Sequence, residues 1–317
     1  MAPGLAGYLV RRLLWAIPVL LVLSFLVFAL IRAAPGDPVD TLLGDRYNEE
    51  AAERLREQYG YDQPIPRQYL TYMGNLLRGD LGVSTRYTDF SAAEIVLPRV
   101  WVSTQLGVMA LIIAFAIGIP VGIYAALARG TFLDPLTISF WLAIDAVPVF
   151  VAIPVLQYVF VIQLGLFDLS WEGVWHPNII LPVAIMSLPG IAGIARFMRA
   201  SIISVMTEDY VRTAHAKGLR NRTVVMTHIT RNAMLPMITV IGLALPGLAT
   251  GSLFVELFFG IPGIAREALE AILHPDYDVI LFLVLFGSTL FVLANIAVDL
   301  LYGVIDPRVR VGQARGG

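Results

Sequence analysis

Six long apolar runs, five of them without a single charge, decide what this chain can become. Residues 13–31 form the first; at about 1.5 Å of rise per residue it reaches roughly 28 Å, close to the hydrocarbon thickness of a bilayer. Residues 100–127 form the second, and residues 135–167 the third, interrupted only by Asp145. Residues 177–195, 232–255 and 279–298 complete the set. No soluble core needs this much uninterrupted apolar chain. The sequence is 57% hydrophobic and 15% charged, with a mean hydropathy of +0.75, and these values agree. The expected fold is all-α: a polytopic membrane protein with six transmembrane helices.

Prolines at Pro18, Pro120, Pro148, Pro154, Pro182, Pro189 and Pro246 fall in or near these runs. In water they would argue against helices. Within a bundle, neighbouring groups satisfy the released carbonyls, so kinks rather than breaks are expected. The first run is too long for a secretory signal, and no small-residue cleavage site follows before Pro35-Gly36-Asp37-Pro38. The chain has no cysteine, which excludes disulfides and thiolate metal sites. A net charge of −2 gives no footprint for nucleic acid.

The basic residues orient the spans. With the N-terminus inside, the inner segments hold Arg11, Arg12, Arg129, Arg196, Arg199, Arg212, Lys217, Arg220, Arg222, Arg231, Arg308, Arg310 and Arg315. Such a Lys/Arg bias over short loops marks the cytoplasmic side. Both termini are therefore expected in the cytoplasm, and residues 34–99 outside. The division that follows is 1–33, cytoplasmic N-terminus and first span; 34–99, external loop; 100–310, a five-span core; and 311–317, a tail. In the external loop, residues 48–59 have a charge-mixed helical pattern ending at Gly60. Residues 69–77 can form a second short helix lying on the membrane.

Between the fourth and fifth runs lies a polar island, residues 208–236. Thr207 is placed to cap a helix start, and Glu208 and Asp209 suit its positive end. Gly218 suits the left-handed residue that stops the helix, and Asn221 can cap a second. The product is a helix–Gly–helix elbow at the membrane surface, with a tip of small residues.

This island resembles the cytoplasmic docking loop, or coupling-helix loop, of ABC importer permeases. The likeness is to the form found in the oligopeptide/dipeptide/nickel branch, whose loop usually reads D-Y-V-R-T-A-R-A-K-G-L with a later R-N-A-x-x-P. Asp209, Tyr210, Val211, Arg212, Thr213, Ala214, Ala216, Lys217, Gly218 and Leu219 match, as do Arg231, Asn232, Ala233 and Pro236. His215 departs from the usual arginine. The resemblance implies that Asp209, Tyr210, Arg212, Thr213, Ala214, Ala216, Lys217 and Gly218 dock an ATPase, within a loop spanning residues 205–236.

A second matching string covers residues 255–279. The branch carries V-E-x-x-F-x-x-P-G-x-G and then A-I-x-x-x-D-Y-P. Glu256, Phe259, Pro262, Gly263, Ala271, Ile272, Asp276 and Tyr277 match, while Ala265 and Asp278 depart. Irregular backbone at membrane depth is tolerated only against protein or a water-filled cavity. Glu256, Pro262 and Gly263 are therefore candidates for the wall of a translocation path. PGDP at 35–38, NLLRGDLG at 75–82, and Asp299 to Tyr302 with Asp306-Pro307-Arg308 extend the resemblance over nearly the whole chain.

The resemblance implies an inner-membrane subunit that pairs with a second, homologous permease. Two ATP-binding subunits would dock at the elbows, and a solute-binding protein would deliver a peptide from outside. Nickel or another small solute is the alternative cargo. No GxxxxGK[ST], HExxH or GxSxG occurs, so no Walker A cradle and no catalytic or metal centre is expected; ATP and magnesium would sit on the partners. His176, His215, His228 and His274 read as polar surface residues.

Asp145, a carboxylate in the third run, is a functional candidate by default. It could meet a peptide amine in the path, relay protons, or be a locally paired carboxyl beside Pro148. The proton-relay reading supports a competing class, a proton-coupled secondary transporter, in which the elbow has no task.

Overall fold

The computed structural model of the chain describes residues 5–33, 39, 43, 48–87, 89–248 and 250–305. PGDP at 35–38, the string 306–308 and the tail at 311–317 lie outside the described residues.

Helix α1, Leu5–Ala33, crosses first. Two short helices follow, α2 (Glu49–Tyr59) and α3 (Ile65–Leu77). Asn48 accepts a hydrogen bond from the Glu50 N–H at the start of α2, and Gly60 closes it in the left-handed conformation. Helix α3 turns Tyr69 onto Phe25 and Phe28 of α1, with ring centroids 5.2 and 5.7 Å away, while Leu70 and Leu77 point outward.

Helix α4, Ala92–Leu127, begins in a capping box made by Ser91 and Glu94 and runs through Pro98 and Pro120. It packs along α7, Ile180–Met206. Gly118 and Gly122, one turn apart, make that contact close. A Cβ at 122 would stand 2.6 Å from the Ala195 carbonyl oxygen, and one at 118 would stand 2.9 Å from Ile194. Small residues at i and i+4 let two backbones meet where lipid offers no hydrophobic drive for association.

The third run breaks rather than kinks. Helix α5, Leu133–Asp145, and helix α6, Val149–Gln157 with a π-helical continuation to Gln163, are bent by 89°. Pro148 has no N–H to donate and disfavours helix at Val147. The chain closes α5 with Ala146 and Val147 donating to Leu142 and Ile144, then restarts.

The elbow helix α8 is Asp209–Ala216. After it comes α9, Asn221–Ala233, π-helical over Val224–Thr230. Helix α10, Leu235–Leu248, continues after a 41° bend. The fifth run thus ends earlier than its composition suggests: a break carrying Gly251 separates α10 from α11, Leu253–Phe258. Helix α12, Ile264–Leu273, and the last span, α13, Tyr277–Ile305, complete the described residues.

Four helices are long and apolar enough to cross a membrane, and six spans result if each bent pair counts as one. Large apolar side chains such as Trp15, Leu30, Trp101, Ile112, Ile162 and Leu243 are more than half exposed on this single chain. Water would not tolerate such a belt, but lipid and partner chains would. Among the described residues one isolated bridge, Val83 with Ser91, is the only β pairing.

Candidate functional site

The elbow is keyed into the bundle rather than hung from it. Val211 and Ala214, three residues apart on α8, are buried against Val224, Val225 and Ile229 of α9 and Met198 and Ile202 of α7. The opposite face of α8 is open: Asp209, Tyr210, Arg212, Thr213, Ala216, Lys217 and Gly218 are all exposed. Ala214 therefore departs from the expected docking set. It is 5% exposed and faces its own chain's core, because an alanine there lets α8 sit close over α9.

Two caps fall one residue from their expected places. Thr207 ends α7, its hydroxyl donating to the Ser204 carbonyl at 2.7 Å, and the extended Glu208 starts α8. Arg220, not Asn221, precedes α9. The stop at Gly218 is as its sequence suggests, with φ at +74°. The Leu219 N–H reaches the Ala214 carbonyl and the Gly218 N–H the His215 carbonyl, which together make a Schellman closure. Arg212 and Asp209 pair at 3.7 Å, but with 75% and 96% of their side chains exposed the pair adds little stability. Lys217 is exposed and makes no ion pair among the described residues.

Glu256 is not on a path wall. It is fully buried. Its Oε1 accepts from the Ser103 hydroxyl at 2.7 Å and the Ser252 N–H at 3.3 Å, and its Oε2 from the Arg266 N–H at 2.9 Å. Ser103 in turn accepts from the Ile264 N–H at 2.9 Å. The carboxylate and hydroxyl together satisfy the N-terminus of α12. Gly251 and Gly263 leave room for it, since a Cβ at either would lie within 2.2 Å of a Glu256 atom. Gly263 is buried with it, whereas Pro262 is exposed. A serine inside an otherwise apolar run was the available signal for Ser103.

Asp145 closes α5 at the 89° break and is exposed, with no hydrogen bond or ion pair among the described residues. That removes the locally paired reading. Two further residues were not singled out as a pair by their sequence. Arg199 of α7 grips Asp134 of α5 through two bonds of 2.6 Å, Nε to Oδ1 and Nη2 to Oδ2. Asp134 is 6% exposed, so this bidentate pair fastens the start of the broken span to α7.

At the other end of the bundle, residues 83–86 are stitched to the turn before α13 and to its first residues. Asp276 accepts from the Ser84 hydroxyl and from the Thr85 N–H at 3.2 Å, and Asp278 accepts from the Val83 N–H at 3.3 Å. Arg86 pairs with Glu270 at 3.0 Å, and Arg99 with Glu267 at 2.6 Å.

The family model described as "Binding-protein-dependent transport system inner membrane component" matches residues 118–311. Its N-terminal companion matches residues 5–90. The chain belongs to this family. It is a multi-pass permease subunit of an ABC transport system. Among its relatives is the oligopeptide transport system permease protein OppB of Haemophilus influenzae, 37% identical over 304 residues, covering 96% of this chain and 99% of the relative. The dipeptide transport system permease protein DppB of Escherichia coli K12 is also 37% identical, over 334 residues, covering 96% and 98%. OppB of Salmonella typhimurium gives 37% over 305 residues and the same 96% of this chain. These relatives are all transporter permease subunits.

Proposed function

We propose that this permease forms half of a path for importing peptides, driven by ATP hydrolysed on other subunits. The observation that carries the reading is similarity to peptide permeases along nearly the full length of both chains. A second, homologous permease would complete the path. Two ATP-binding subunits, holding ATP and magnesium, would receive the elbows, and a solute-binding protein would deliver peptide on the far side. The termini and the elbow then lie in the cytoplasm, in keeping with the basic residues of those segments.

The elbow geometry supports a mechanism of coupling. Closure of the ATPase pair moves whatever is docked to it. Since α8 shares a core with α7 and α9, a displacement of α8 is passed to two spans rather than absorbed by a loop. The exposed face of α8, with Lys217 and the small tip at Ala216 and Gly218, is the docking surface. The exposed position of Asp145 at the broken span, without a partner among the described residues, supports a place for it along the path, where its carboxylate would suit the amine of a peptide.

The test is uptake of a labelled dipeptide by cells expressing the whole system. Uptake should fall on ATP depletion and persist when the proton gradient is collapsed. The opposite pattern would favour gradient-driven transport.

A further inference from the structure

A cavity of about 480 Å³ lies between the end of α1, helices α2 and α3, and the start of α13. Phe28, Arg32, Gln68, Tyr72 and Asp278 line it. The Arg32 guanidinium stands 4.4 Å from the Tyr61 ring centroid and 5.3 Å from that of Phe28, so aromatic walls hold the cation in place. Its Nε and Nη1 are buried without a hydrogen-bond partner, and so are the Tyr72 hydroxyl and the Gln68 Oε1.

Those are four of the five unpartnered buried side-chain atoms among the described residues, and all four belong to residues lining this one cavity. Unpaired buried polar atoms are costly, and natural folds rarely gather them without something to pair with. Their chemistry is mixed. Arg32 presents undischarged donors. Burial, helped by the charge of Asp278, pushes the Tyr72 phenol up from its ordinary range, so its hydroxyl stays a donor. Asp278 accepts from the Val83 N–H, and Gln68 Oε1 offers another acceptor. Arg32 and Asp278 face the same space without forming an ion pair. A lone anion would leave the acceptors unmet, and a lone cation would leave the guanidinium unmet.

We propose that this cavity binds a small zwitterion, its oxyanion on Arg32 and Tyr72 and its ammonium on Asp278 and Gln68. A free amino compound such as a short peptide has this chemistry, and so does an ethanolamine lipid head group. The site is independent of the elbow and of the direction of transport, so its failure would leave the proposed function standing.

The full chain is purified into nanodiscs of phosphatidylglycerol and titrated calorimetrically with dialanine. In a second arm, nanodiscs also contain phosphatidylethanolamine, and native mass spectrometry counts the molecules retained. One arm should show saturable binding. Arg32→Gln should weaken it at least about tenfold and Tyr72→Phe about threefold. Arg78→Gln, an exposed neighbour outside the lining, should leave it unchanged. Binding in the first arm alone identifies a free amino compound, and binding in the second alone a lipid head group. No binding in either arm, or binding undiminished in both cavity variants, overturns the proposal. If Arg32→Gln does not fold, Tyr72→Phe, which removes one hydroxyl, decides it alone.

Discussion

Glu256 and Gly263 are fitted to each other: a Cβ at 263 would stand 2.1 Å from Glu256 Cδ. The carboxylate can reach the start of α12 only because residue 263 has no side chain. Glu256→Ala removes the acceptor of the Ser103 hydroxyl and the Ser252 and Arg266 N–H groups; the buried Ser103 hydroxyl left unpaired costs about 1–3 kcal/mol, and the two partly buried N–H groups add less. Gly263→Ala should displace the carboxylate and act in the same direction. Both variants should melt well below the parent in detergent, and Glu256→Gln, which keeps an acceptor, should lie between. A Glu256→Ala protein that melts with the parent would disprove the cap.

The Arg199–Asp134 pair is expected to be worth more than a surface pair. Exposed pairs contribute up to about 1 kcal/mol, while removing one partner of a buried pair costs about 3–5 kcal/mol. With side-chain exposures of 32% and 9%, this one belongs between those limits. Asp134→Asn and Arg199→Gln should each lower the melting temperature. The double variant should lose clearly less than the sum of the two. Strict additivity would show that the two side chains do not act together.

Asp276 should hold the segment around Arg86 shut. It is 3% exposed and gathers Ser84 and the Thr85 N–H onto the turn before α13. Asp276→Ala should speed tryptic cleavage after Arg86 several-fold without changing cleavage after Arg220. Equal rates at Arg86 would show that the segment is held by other contacts.

Much of this fold is legible because bilayer dimensions act on sequence directly. Run length gives the spans, and Asn48 with Gly60 gives the ends of α2, since caps depend on neighbours in the chain. What was not legible depends on distant partners. Ser103 meets Glu256 across 153 residues, so a carboxylate that reads as a path residue becomes a structural cap. Pro148 and Pro154 look alike in sequence, yet α6 continues through Pro154 and the chain breaks at Pro148. Which proline breaks depends on whether neighbouring elements satisfy the released groups. Ala214 is small in the same way as Ala216, and only the packing of α8 on α9 separates the buried residue from the exposed one.

The orientation can be checked with single cysteines. Ser84 is 1% exposed and unsuitable for labelling, but Arg78 and Arg220 are exposed. In intact cells an impermeant maleimide should label Arg78→Cys and spare Arg220→Cys until the membrane is opened. Labelling of both from one side would remove the elbow from the cytoplasm and with it the docking surface.

Gly218 offers the cleanest test of docking. Its φ of +74° costs a residue with a Cβ about 1 kcal/mol or more. Within this chain a Cβ at 218 would meet nothing within 4 Å, so Gly218→Val disturbs the elbow tip and not the bundle. Ala214→Glu would not serve, because it drives a carboxylate into the core beneath α8. Lys217→Glu, on the exposed face, reverses one charge and leaves every described contact intact. Both usable variants should insert; Lys217→Glu should melt like the parent, and Gly218→Val should lose about 1–2 kcal/mol, confined to the elbow tip. Both should retain fewer ATP-binding subunits on purification and show reduced ATP-driven uptake in vesicles. Full retention and normal uptake in both would mean that the face of α8 opposite Val211 and Ala214 is not where the ATPase binds.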